Sequence, residues 1–226
     1  MLIPLTRDKF DQLMPLLATG PQYSYYSGKF ADVLNRLLIS IVWVLIVAFL
    51  LSIFLGNNLV TFCLGAIGGL YFLWAPIYFA SLRNFSCRRH RYSGFWQGEV
   101  LDLYISEELV GTEQTVNKKG QLVVVENRQR RLNLEIGDET GFTTELQVPL
   151  QREHKLIRPG EIAQMLVMSD RADLGRIAKI SDIYIPRENI WVSDYPYVRR
   201  DVFAEVSDRL NRRRGNRSNK RRPPRY

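Results

Sequence analysis

Two uncharged runs set the limits on what this chain can become. Residues 37–55, LLISIVWVLIVAFLLSIFL, hold nineteen residues with two serines as the polar interruptions, and residues 59–82, LVTFCLGAIGGLYFLWAPIYFASL, hold twenty-four with no charge. About 20 apolar residues cross the hydrocarbon core of a bilayer, so each run predicts a membrane-spanning helix. Gly56, Asn57 and Asn58 leave room for a tight turn between them, and the pair predicts a helical hairpin over residues 31–84. A buried soluble hairpin competes poorly, because a small domain has too little surface to cover two helices that are apolar all round. The first run starts some 36 residues in and exceeds a signal-peptide core, which argues for a retained anchor.

The flanks orient the hairpin. Lys29 and Arg36 precede the first run, Arg83, Arg88, Arg89 and Arg91 follow the second, and the turn is uncharged. The excess of basic residues on the cytoplasmic side of membrane proteins then places both termini in the cytoplasm, or the stroma of a plastid. Arg36, Arg83, Arg88, Arg89 and Arg91 become the orienting charges, in contact with anionic headgroups. Trp74, Tyr78 and Phe79 suit an interfacial aromatic belt. Gly65 and Gly69, four apart, mark a helix-packing face, either for a partner or for the chain's own first span. Neither run carries an ionisable residue, which speaks against a pump or a substrate-coupled transporter.

Residues 1–30 read as an amphipathic interfacial segment: Phe10, Leu13, Met14 and Leu17 share a helical stripe behind Thr6 as N-cap, for the membrane interface or equally for docking on the domain, followed by an aromatic linker. Beyond residue 92 the period changes to two. RLNLEI (131–136) and GFTTELQVPL (141–150) alternate cleanly, and EVLDLYI, EIAQMLVMS and RIAKISDIYI add further strands, separated by NKKG, GDETG, RPGE and SDRAD turns. Strands at this spacing predict a small antiparallel β-barrel over 92–198, OB-like, with an SH3-like barrel as the alternative. The fold class is therefore α+β, a membrane hairpin followed by a cytosolic barrel. Acids and bases mix evenly over the strands, without the basic, aromatic-studded face of a single-strand binder. Trp191, Tyr195 and Tyr197 around Pro196 form either a protein-contact surface or packing over a barrel end.

A short helix is predicted over 199–210, then a disordered tail over 211–226. The net charge is +8, and residues 209–226 hold nine basic residues and no acid, so the remainder sums to −1. Arg212, Arg213, Arg214, Arg217, Lys220, Arg221 and Arg222 suit a polyanion: anionic lipid, an acidic protein surface, or ribosomal RNA.

No catalytic constellation emerges. The histidines are His90 and His154, and the C-x-x-H pair of Cys87 and His90 lacks the further ligands of a structural zinc site. Neither a cofactor nor a metal is expected, and no small-molecule substrate is evident.

The strings MLIPLTRDKF (1–10), ATGPQYSYYSGKF (18–30) and VSDYPYVRRDVF (192–203), with the hairpin, resemble a group of two-span proteins of cyanobacteria and plastid-bearing lineages, some of them labelled phosphate-transport permeases. The resemblance covers Met1 to about Glu205 and implies a thylakoid or plasma membrane near photosynthetic complexes. Two uncharged spans depart from a permease core. The expected function is a non-enzymatic membrane-anchored adaptor or assembly factor for a larger membrane complex. The alternatives are an accessory transporter subunit and a ribosome or RNA tether acting through the tail.

Overall fold

A computed structural model describes residues 1–51, 53, 56, 58–116 and 122–220, with the backbone alone for 50, 51, 113, 116, 123, 125, 211 and 213–220. Two compact units result, a sheet unit of Met1–Phe10, Arg91–Asp194 and Arg200 onward, and a helical unit of Asp11–His90 with Tyr195–Arg199.

The helical elements are α1 (Arg7–Leu13), α2 (Gly20–Ser27), α3 (Phe30–Ile46), α4 (Leu59–Gly69) and α5 (Tyr71–Arg88), with a π-helical turn Val47–Leu51 continuing α3. Of the predicted amphipathic stripe, Phe10, Leu13 and Met14 are fully buried while Leu17 stays exposed, so three of its four apolar positions face protein. The expected linker is the helix α2, closed by Gly28 at φ 69°, a left-handed position that favours glycine. Lys29 N donates to Asp32 Oδ2 at 2.8 Å, which opens α3.

Phe30–Phe49 is long and apolar enough to cross a membrane, with 11% of its most apolar window buried. The second apolar run is not one straight span. It breaks at Leu70 into α4 and α5, which diverge by 72°. Gly68 and Gly69 weaken the helix there, and the groups freed by the break find partners. Trp74 Nε1 donates to Ile67 O at 2.8 Å, and Phe72 N donates to Ser40 Oγ of α3 at 3.2 Å. The predicted two-span hairpin is thus corrected to one candidate spanning helix followed by a broken one. The second run passes the length test only as the bent pair. The placing of both termini on one side rested on the hairpin and falls with it.

The sheet unit holds β1 (Leu2–Pro4), β2 (Tyr92–Val116), β3 (Leu122–Gly137), β4 (Thr143–Pro149), β5 (Ile162–Ser169), β6 (Lys179–Ile180), β7 (Ile183–Ile185), β8 (Ile190–Val192) and a helix α6 (Arg200–Lys220). All pairings are antiparallel, in the order β4-β3-β2-β5-β7-β8, with β1 on β2 and β6 on β5. The end strands β4 and β8 do not meet, so the sheet is open. The OB-like barrel and its SH3-like alternative are both corrected. Alternating residues build its core: Leu132, Leu134 and Ile136 with Val148, Trp96, Val100, Met165 and Ile183, all at most 1% exposed. Burying each such side chain contributes roughly 1.5–3 kcal/mol. Phe203 of α6 stacks on Phe95 at 5.3 Å, and Ser207 Oγ donates to Gln164 Oε1 at 2.6 Å, which fastens the helix to β2 and β5.

Candidate functional site

The densest polar arrangement in the helical unit gathers α2, the last turns of α5 and the segment Tyr195–Arg199. Gln22 sits at the third position of α2, where its Oε1 accepts from Thr19 N at 3.1 Å. The same amide exchanges bonds with Asn84 of α5: Gln22 Nε2 to Asn84 Oδ1 at 3.0 Å, and Asn84 Nδ2 to Gln22 Oε1 at 2.8 Å. Gln22 Nε2 also reaches Pro196 O at 2.8 Å. Both side chains are fully buried, so each polar atom needs a partner and finds one.

Beside this staple, Arg83 donates from Nε and Nη2 to the Tyr197 hydroxyl at 3.0 and 2.8 Å. Its guanidinium lies 4.2 Å from the centre of the Tyr195 ring. Tyr25, Tyr26 and Tyr197 meet the same ring edge-on, with centroids 5.0, 5.7 and 4.8 Å away. Tyr195 is fully buried and its hydroxyl has no hydrogen-bond partner among the described residues. Burial, reinforced by the neighbouring Tyr26, pushes that phenol well above its ordinary range. The arrangement is an aromatic box around the chain's own arginine, and its chemistry is positional.

The predicted orienting charges divide. Arg36 donates to the carbonyls of Tyr26 and Ser27, where a cation also complements the C-terminal end of α2. Arg83 is held by tyrosines. Arg88 pairs with the Asp11 carboxylate at 3.0 Å and donates to Met14 O at 2.6 Å. Arg89 and Arg91 are exposed. Three of the five therefore fasten the helical unit to itself.

The glycine face turns towards α3. A Cβ at Gly69 would lie 2.9 Å from Val44 Cγ2, and one at Gly65 would make an ordinary contact, 3.5 Å from Val47 Cγ1. The closest approach belongs to Gly68, which sequence spacing passed over: a Cβ there would fall 1.6 Å from Trp43 Cδ1. Trp43 in turn donates its indole N–H to Leu64 O at 2.9 Å.

The aromatic trio is split between the units. Tyr195 and Tyr197 belong to the arginine box, while Trp191 stacks on Tyr184 at 4.5 Å, meets Phe203 at 5.3 Å and lies under Arg200. In the tail, Arg212 is exposed on α6; the side chains of Arg213, Arg214, Arg217 and Lys220, and the whole of Arg221 and Arg222, lie outside the described residues. Among the described residues no group of three or more His, Cys, Asp or Glu is placed to hold a metal ion. The sequence-predicted turn NKKG also lies outside them.

One feature of the sheet unit was invisible to pattern reading. Strand β2 pairs with β5 only as far as Glu99, and β3 with β4 only back to Arg131. Beyond those limits β2 and β3 continue together, through Val116↔Leu122, as a two-stranded ribbon with no further strand paired to it among the described residues. Ile105, Leu109, Val110, Leu122 and Val124 are exposed on it. Ion pairs join Glu107 to Arg130 at 3.4 Å, Glu108 to Arg131, and Glu126 to Arg128 at 2.8 Å. No curated protein and no solved structure matches the chain. A family model matches residues 3–215, and the chain accordingly belongs to DUF8619, a family of unknown function.

Proposed function

We propose that the protein is a membrane-anchored, non-enzymatic adaptor, held by α3 and contacting a larger membrane complex through its sheet unit. The observation that carries this reading is the uncovered apolar surface of α3. Leu37, Leu38, Ile39, Ile41, Val42, Val44 and Leu45 are all exposed, within a helix long enough to cross a bilayer. Contiguous apolar surface of that extent marks a membrane or partner contact. The ribbon of β2 and β3 supplies the contact arm. The resemblance of the opening and closing strings to proteins of cyanobacterial and plastid lineages points to a photosynthetic complex as the assembly served.

Alkaline carbonate extraction of membranes carrying the full chain tests the anchor. The wild type is expected in the membrane pellet, and the Ile41→Asp/Leu45→Asp double variant in the supernatant. Release of the wild type, or retention of the variant, overturns the anchor. Affinity purification in mild detergent tests the adaptor role: subunits of one membrane complex should co-purify, and recovery of this chain alone defeats it.

A further inference from the structure

The outer edge of β3 ends in a row of backbone groups with a definite parity. Leu150 N donates to Arg130 O at 3.0 Å, while Arg131 stands opposite Pro149. Arg130 therefore turns its backbone towards β4, and in a regular strand so does every second residue before it: Arg128, Glu126, Val124 and Leu122. Among the described residues no strand pairs with these four on that side. The opposite edge, on β2, is broken by extra residues at Leu101 and Val110, whereas β3 runs without a register shift and without proline from 122 to 131. Bulges and prolines are among the devices that keep an exposed edge from pairing; the β3 edge has neither and relies on the charges of Glu126, Arg128 and Arg130.

We propose that two copies of this chain pair antiparallel through residues 122–128 of β3, about a two-fold axis at residue 125. A second copy offers an edge of the same length and parity, so Leu122 pairs with Arg128 of the other copy and Val124 with its Glu126. Every outward N–H and C=O of both edges is then satisfied at once. Registers shifted towards β4 are worse. An axis at Glu126 sets that carboxylate directly against its own copy, and like charges opposite one another destabilise a sheet. An axis at Asn127 brings Val124 of the second copy onto Arg130, whose carbonyl Leu150 N already occupies. In the chosen register the aliphatic stem of Arg128 covers Leu122, now 75% exposed, and that of Glu126 covers Val124, now 59% exposed.

Proline at an outward position removes an edge N–H and leaves the β2–β3 ladder whole, which gives the test. Light scattering on the full chain in detergent micelles should count two chains for the wild type and one for Glu126→Pro. Glu107→Pro, which alters the outer edge of β2, should retain two. Cross-linking checks the register independently of how well a proline variant folds. In a Cys63→Ser background, Val124→Cys and Glu126→Cys chains mixed together should form an interchain disulfide, since hydrogen-bonded antiparallel partners stand about 5.5 Å apart at Cα, inside the disulfide range. Neither variant alone should do so. A monomeric wild type, a dimer that survives Glu126→Pro, or Glu126→Cys linking to itself as readily as the mixture would each overturn the proposal.

Discussion

Gln22 and Asn84, sixty-two positions apart, exchange both amide hydrogen bonds, at 3.0 and 2.8 Å, with neither side chain exposed. The pair ties α2 to α5, and through Pro196 O it also holds the segment Tyr195–Arg199.

Removing either amide strands the other in a dry site, a loss of about 1–3 kcal/mol. Gln22→Leu should cost more than Asn84→Leu, because Gln22 also serves Thr19 N and Pro196 O. Chemical denaturation of the two variants and their double should show a coupling of roughly 0.5–3 kcal/mol. Additive losses would mean that the pair does not act as a unit.

Gly68→Val should disturb the crossing of α3 and α4, at a cost of about 1–3 kcal/mol for overpacking. The new side chain meets the indole of Trp43. A Trp43→Ala change in the same chain should recover part of the loss, as read from thermal melts in detergent. An undisturbed Gly68→Val protein would show that the helices do not approach as closely as described.

Phe203→Ala should loosen α6 from the sheet. The ring is fully buried against Phe95, Trp191 and Tyr184, and truncation of such a ring costs about 3–5 kcal/mol. Ser207→Ala, which strands Gln164 Oε1, should cost less, about 1–3 kcal/mol. Protease cleavage between residues 200 and 212 should accelerate in the same order.

His154 is buried at the 3-10 turn Glu153–Leu156, where burial lowers its pKa below the ordinary 6.5. The folded state therefore favours the neutral ring, and the unfolded state takes up the proton first. Its share of stability is present above pH 6.5 and is lost as the pH falls through the folded value. Urea midpoints should drop between pH 7.5 and pH 5 in the wild type, and His154→Gln should flatten that slope. An equal slope in both proteins would assign the acid sensitivity elsewhere.

Local pattern was enough to locate most elements. The alternation of Leu132, Leu134 and Ile136 marks a half-buried strand wherever that strand is placed, and each of these residues is at most 1% exposed. The tyrosine-rich stretch 21–30 reads locally as a linker because glycine, proline and aromatics signal a turn. Its helical state depends on Gln22 finding Asn84, a contact no short window contains.

The sequence by itself determined which residues shun water and with what period: the apolar run that becomes α3, the alternating strands, and the glycines that face Val44 and Val47. Tertiary structure alone decided how those pieces close. Whether the second apolar run stays straight depends on Ser40 of α3, whose hydroxyl accepts from Phe72 N beside the break at Leu70. Whether the strands form a barrel depends on β4 meeting β8, and they do not. Hydrophobic periodicity is a property of neighbours along the chain, whereas a hydrogen bond across thirty or more residues exists only once the fold has brought its ends together.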